Sequence, residues 1–344
     1  MRGHKVEQLG IATVGFFWCF LMWFSTAAFS PSIAASYHLT IKDLGLLASS
    51  AIWMAPIGRI VAGWAADRFG APRTFAAILA GRGLVSIASA FTTSYELLFA
   101  ERVIVAIAGV SFVVGIQHVA QWFDSHEMGT AEGLYAGTGN VGAGVGALLL
   151  PRIFGTDYQS AFPWLGVIAL LVAAWYLVRG SVAKTTERRD AARRSGDLRG
   201  MVFVWTRYIA IALMLAYAMS FGLEIALNAW LPGYFARGFH DEIAALGFTG
   251  VAGLQIVAGT FALVPLLFPD RPGIAAGFVG GISTFGGIVF PLIFAGGANL
   301  HVGYLYVALY MFVPFILFYF WAARYERRPQ EHGFLSRSLA GQQA

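Results

Sequence analysis

From Leu9 to Ala35 the chain runs without a single charged side chain, and comparably apolar stretches recur at roughly 43–66, 73–93, 96–122, 128–150 and 160–180. Each is about the 20 residues that a helix needs to cross a roughly 30 Å hydrocarbon core. The runs are continuous rather than alternating, so they do not spell the strands of a membrane β-barrel. Four more follow at roughly 203–235, 243–268, 273–296 and 301–324. With 58% hydrophobic and only 12% charged residues in 344, the chain is too apolar for a water-soluble domain of this length. The sequence predicts an all-α polytopic membrane protein with about ten transmembrane helices, six and then four. The first run is longer than a signal-peptide core and reads as helix one rather than a cleaved leader.

Polar residues mark the organisation. The run from Lys184 to Arg199 is nearly devoid of apolar side chains and dominated by basic ones, so 181–202 is expected to link a six-helix half, 1–180, to a four-helix half, 203–325, with a tail at 326–344. Arg2 and Lys5, Arg68 and Arg73, the central run, and Arg324, Arg327 and Arg328 all fall on one side of such a bundle. The positive-inside rule makes that side cytoplasmic, with both termini inside and the protein in the cytoplasmic membrane. The net charge of +5 therefore reports topology and not nucleic-acid binding. The single cysteine, Cys19, excludes an intrachain disulfide and a cysteine-rich metal site. The sequence holds no cluster of metal ligands, phosphate loop or nucleophile–base pair, which argues against an enzyme and predicts neither metal nor cofactor. His118 beside Gln117 is a lone histidine and reads as structural.

Three constellations carry chemistry. The first runs from Gly58-Arg59 through Gly63, Asp67-Arg68 and Gly70 to Arg73, off the second span into a tight loop. Gly63 admits a neighbouring helix, Asp67 is placed to accept from helix N-termini or arginines, and Gly70 supplies the turn. Arg59 lies two turns before Asp67, about 12 Å into the membrane at 1.5 Å per residue. An arginine there is costly unless it faces a polar cavity, and its planar fork suits an oxyanion held by two parallel hydrogen bonds. Arg82 is as deep but has no assigned role, and Glu224 is the candidate ion-pair partner or proton carrier. The second constellation is the glycine series Gly137, Gly139 and Gly142 around Asn140, and the third is its counterpart Gly277, Gly281 and Gly287. Each glycine costs an isolated helix about 1 kcal/mol relative to alanine, so close helix contact is expected to compensate.

The Gly63–Arg73 loop, with Arg102 seven residues before Gly109, resembles signatures of the major facilitator superfamily. Arg102 through Ser111-Phe112, Trp122-Phe123 and Gly137-x-Gly139-Asn140-x-Gly142 resembles the nitrate signature of its nitrate/nitrite porters. Tyr217 through Phe221 and Glu224 to Trp230-Leu-Pro232 is similar to the seventh helix of that family, and Phe261 to Gly273 to its tenth and eleventh. The resemblance implies a major-facilitator-type bundle and a secondary transporter for nitrate or nitrite working by alternating access, with protons as possible partners. It also implies a midplane site in which Arg59 is the substrate arginine, Asn140 and Tyr217 are polar contacts, and Phe112, Phe221 and Phe24 are aromatic walls. Where the family has helices eight and nine, this chain passes directly from Arg237 into the tenth, so the second substrate arginine is absent too. That departure keeps two alternatives open: transport of another small organic anion, and an anion-binding relic or sensor that does not transport.

Overall fold

The computed structural model describes residues 2–105, 109–182, 209–219, 221–222 and 272–296, together with residue 264 and a few positions between 309 and 320. Among these the structure is helical. The first half comprises α1 (Arg2–Ala28), α2 (Ser30–Tyr37), α3 (Ile41–Trp53), α4 (Ala55–Phe69), α5 (Ala71–Ala88), α6 (Tyr95–Val105), α7 (Ser111–Ala120), α8 (Ser125–Phe154) and α9 (Tyr158–Arg179). From the second half come α10 (Ile209–Met219) and α11 (Pro272–Gly296). Three stretches among the described residues are long and apolar enough to cross a membrane: His4–Ala28, Ala71–Phe91 and Tyr158–Arg179.

Two predicted spans are broken where the sequence places proline. The 9–35 run is α1 and α2, separated at Phe29, with Pro31 in the first turn of α2. The 43–66 run is α3 and α4, separated at Met54, with Pro56 in the first turn of α4. Proline has no N–H to give the preceding turn but is tolerated in a new first turn, so each helix stops and restarts. The 73–93 run is α5 followed by a 3₁₀ turn, Ser89–Phe91. The 96–122 run contains α6 and α7, whereas α8 overruns both predicted ends by a few residues and α9 starts two residues early. The linker beyond Val182, the predicted 243–268 span apart from Val264, the missing-helix junction and Glu224 lie outside the described residues.

Helices meet through glycine. On α8, a Cβ at Gly139 would strike the Phe16 ring, and one at Gly142 the Phe17 carbonyl, both on α1. On α5, a Cβ at Gly83 would lie 2.8 Å from the Gly166 carbonyl of α9. On α11, one at Gly277 would lie 2.8 Å from the Arg59 carbonyl, and one at Gly281 2.6 Å from the Pro56 carbonyl, both on α4. These are the close approaches that a small-residue stripe permits, and they bring polar backbone within reach across helix boundaries. Gly137 differs: among the described residues a Cβ there would meet nothing within 4 Å, so no close neighbour accounts for it.

One end of the bundle gathers the charged loops. Lys5 Nζ donates to Glu127 at 2.8 Å and Asp124 at 3.3 Å, and Arg179 Nε donates to Glu7 at 2.7 Å. Gly180 stacks near Pro72 just beyond the α4–α5 turn, where Gly70 adopts φ +92°, the left-handed backbone that glycine takes without strain. The start of α1, the α4–α5 turn, the start of α8 and the end of α9 thus share a face, as the charge pattern requires.

Candidate functional site

The largest fully buried side chain is that of Arg59. Pro56 starts α4 three residues earlier, and Gly58 lets α4 approach the start of α7, where a Cβ would come within 2.9 Å of Val110. The guanidinium therefore sits where α4, α7, α10 and α11 converge. Its Nε donates to the Gly109 carbonyl at 2.9 Å, and its Nη1 donates to the Gly280 carbonyl at 3.0 Å and to Tyr217 Oη at 3.3 Å. Nη2 is buried and has no hydrogen-bond partner among the described residues. Among the described residues no carboxylate forms an ion pair with Arg59.

Aromatic rings enclose the charge. The guanidinium carbon is 4.8 Å from the Phe221 centroid and 5.7 Å from those of Phe112 and Tyr217. Such faces attract a cation through the ring quadrupole, by about 2 kcal/mol or more when desolvated. Phe112 and Tyr217 stack at 5.8 Å and 14°, and Phe112 is backed by Tyr135, whose hydroxyl donates to the carbonyls of Ser111 and Phe112. Taken together, the group is a full positive charge, met by dipoles and ring faces, with one nitrogen still able to donate twice.

The structure brings together Arg59, Tyr217, Phe112 and Phe221, and seats Gly63, Gly277 and Gly281 against the same α4–α11 seam. Gly287, farther along α11, is buried. It does not bring Phe24 to the guanidinium: that ring is half-buried and packs on Phe20 and Trp23. Trp23 lies 6.0 Å from Phe221 and is pressed on Gly109. Neighbouring positions along a helix point in different directions, so the two rings do not face the same spot. Asn140 is buried on α8, one residue beyond the Gly139–Phe16 contact. The expected open fork is also revised, because Nε and Nη1 already serve backbone carbonyls and only Nη2 is free.

Around the site, Gln117 Nε2 donates to Asp67 Oδ1. Arg68 and Arg73 are exposed, with Arg68 lying over Trp64 and Phe69. Arg102 is buried and donates to the Trp23 carbonyl at 2.8 Å. His118 Nδ1 is 2.6 Å from Tyr176 Oη and Nε2 3.1 Å from the Ser181 carbonyl. A carbonyl only accepts, so Nε2 carries the proton and Nδ1 accepts from Tyr176, an arrangement that tethers the end of α9. Cys19 is a buried core residue. The sequence reading passed over the carbonyls of Gly109 and Gly280, which no side-chain pattern announces. It also passed over Glu132, fully buried on α8 with neither carboxyl oxygen partnered; a charged residue inside a predicted span was the available signal.

The chain is 29% identical over 223 residues to the nitrate/nitrite transporter NrtP of Nostoc punctiforme, covering 62% of this chain and 44% of that one. It is 28% identical over 253 residues to the probable nitrate/nitrite antiporter NarK1 of Thermus thermophilus, covering 69% and 55%. The chain thus spans about half the length of these curated relatives. Among solved structures it is similar to the proton:xylose symporter XylE, with a TM-score of 0.67 and 15% identity over 93% of this chain and 96% of that one. It is also similar to the human organic anion transporter MFSD10, at 0.59 and 13% over 91% and 99%. These two likenesses show the fold. The Major Facilitator Superfamily model matches residues 11–322, and the chain, an all-α multi-pass membrane protein, belongs to that superfamily.

Proposed function

We propose that this chain is a secondary transporter that moves nitrate or nitrite across the cytoplasmic membrane, both termini inside, by rocking its two halves about Arg59. The observation that carries this reading is the buried Arg59 guanidinium, walled by Phe112, Tyr217 and Phe221, without an acid partner and with Nη2 free to donate among the described residues. Both named relatives are nitrate/nitrite transport proteins. A planar monovalent oxyanion fits between flat rings while N–H groups meet its edge, and its charge offsets that of the arginine. Asn140 is a further polar contact for the anion.

The bonds of Arg59 supply the coupling. Nε is bound to the Gly109 carbonyl, just ahead of α7 in the first half, whereas Nη1 is bound to α10 and α11 in the second. An anion that takes Nη1 from Gly280 and Tyr217 exchanges a bond between the halves for one to the cargo. Binding thereby favours a different arrangement of the halves, which is what ligand-driven population shift requires. Protons as co-substrates and the place of Glu224 belong to this reading without being needed for it.

Counterflow of labelled nitrate and nitrite into proteoliposomes tests it, comparing the intact chain with Arg59→Lys and protein-free vesicles. Flux abolished by Arg59→Lys supports it. Folded protein giving no flux above empty vesicles overturns it in favour of a binder that does not cycle, and flux carried by formate or pyruvate but not nitrate reassigns the cargo.

A further inference from the structure

A second pair of buried arginines lies away from Arg59, between α1, α5, α6 and α9. Arg82 and Arg102 are 5% and 6% exposed and line one cavity of about 20 Å³. Each makes a single hydrogen bond to a carbonyl: Arg82 Nη1 to Val105 at 2.9 Å, Arg102 Nη2 to Trp23 at 2.8 Å. The Nε of each is buried and partnerless. Neither arginine is ion-paired among the described residues, although Glu101 lines the same cavity. One oxygen of Glu101 is held instead by Thr92 Oγ1 at 2.6 Å, and the other is buried without a partner.

The three serines of the cavity do not donate into it. Ser25, Ser86 and Ser89 direct their protons to the carbonyls of Met22, Phe162 and Ser86. The donors are therefore the guanidinium N–H groups, five on each arginine. The ionisable groups sum to one positive charge, two arginines against one glutamate. A water molecule would satisfy hydrogen bonds there but would leave that charge uncompensated in a low-dielectric interior. A body of monovalent negative charge satisfies both, and the volume, somewhat above the 10–15 Å³ that a water needs, matches a halide better than a larger oxyanion.

We propose that Arg82 and Arg102 form a second anion site, which holds one small monovalent anion of halide size between α1, α5 and α6. It is separate from the Arg59 reading and does not depend on transport. It abuts that site through one residue: Arg102 holds the Trp23 carbonyl, and the Trp23 ring presses on Gly109, whose carbonyl takes Arg59 Nε.

The test is thermal unfolding of the purified full chain in detergent, in sodium chloride against sodium gluconate at equal ionic strength. Arg59→Lys provides the background, so that the central site does not contribute. Chloride is expected to raise the unfolding temperature saturably over gluconate, as a ligand of the folded state does. In that background Arg102→Gln abolishes the rise. Glu101→Gln removes the opposing charge and keeps both arginines, so it moves the chloride midpoint down by at least about tenfold, the size of a unit charge a few ångströms away at an effective dielectric of about 20. Equal unfolding temperatures in the two salts overturn the site, as does a midpoint that Glu101→Gln leaves in place or raises. If Arg102→Gln or Arg59→Lys fails to fold, the same titration of the parent chain against Glu101→Gln decides the matter.

Discussion

Arg59 Nη1 and Tyr217 Oη meet at 3.3 Å across the boundary between the two halves of the chain, with α4 on one side and α10 on the other. The Tyr217 ring simultaneously stacks on Phe112. The tyrosine therefore has two separable roles, a wall and a hydrogen-bond acceptor. Tyr217→Phe removes only the second. The expected result is a folded protein whose nitrate affinity falls by tenfold or more, the roughly 1.5–3 kcal/mol of one hydrogen bond to a charged group. Tyr217→Ala, which removes both, is expected to lose far more. Binding titrations on the two variants check this.

Arg59→Lys keeps the charge but offers a point rather than a fork, and cannot reach Gly109 and Gly280 together as the guanidinium does. Charge-assisted bonds of this kind contribute about 1.5–3 kcal/mol each. Nitrate affinity is accordingly expected to fall by tenfold or more, read by equilibrium binding before any flux is measured.

The glycines divide into two groups with opposite expected outcomes. Gly281→Ala places a Cβ 2.6 Å from the Pro56 carbonyl, and backbone cannot swing aside. It should destabilise the α4–α11 seam by about 1–3 kcal/mol, as overpacking does, and weaken anion binding by shifting the Gly280 carbonyl. Gly137→Ala meets nothing and should stabilise α8 by up to about 1 kcal/mol through helix propensity. Unfolding temperatures of the two variants should move in opposite directions.

Gln117 Nε2 donates to Asp67 from α7, and the side-chain oxygen of Gln117 has no partner among the described residues. Asp67→Ala strands a buried amide donor, at a cost of about 1–3 kcal/mol. Asp67→Asn can still present an oxygen, so it should lose less. Thermal unfolding of the pair separates lost charge from lost hydrogen bond.

Asp157 begins α9 and accepts from the backbone N–H of Ser160 at 3.0 Å. Its bonds to Ser160 hold its carboxyl below the ordinary value of 3.8. A carboxyl lowered by folding contributes stability above its ordinary value, and that contribution is lost as pH falls through the folded value. The unfolding temperature of Asp157→Ala should therefore lie below that of the parent at neutral pH and converge with it in acid below about pH 3.8.

Much of this site was legible before any coordinates. Arg59, Phe112, Tyr217 and Phe221 converge because charge deep in an apolar run and aromatics at family-matched positions are side-chain signals, and side chains are what a sequence lists. The helix ends at Phe29 and Met54 were written in Pro31 and Pro56, yet continuous hydropathy masked them. Phe24 failed as a wall because adjacent aromatics on α1 differ in sequence by one step and in direction by 100°, which hydropathy does not resolve. The acceptors for Arg59 were illegible for a stronger reason. They are carbonyls of Gly109 and Gly280, reachable only because glycines let the helices close, and any residue type carries a carbonyl.

That closeness constrains how the bundle can move. At Gly277 and Gly281 the main chain of α11 rests on carbonyls of α4, with little side chain between them to flip. The seam has no soft intermediate: it is either seated or parted. Motion there must be a tilt of whole helices, which belongs to microseconds and slower rather than to the picoseconds of side-chain rearrangement. The tempo at which Arg59 can exchange partners is then governed by the stiffness of two helices, and not by the flexibility of the arginine.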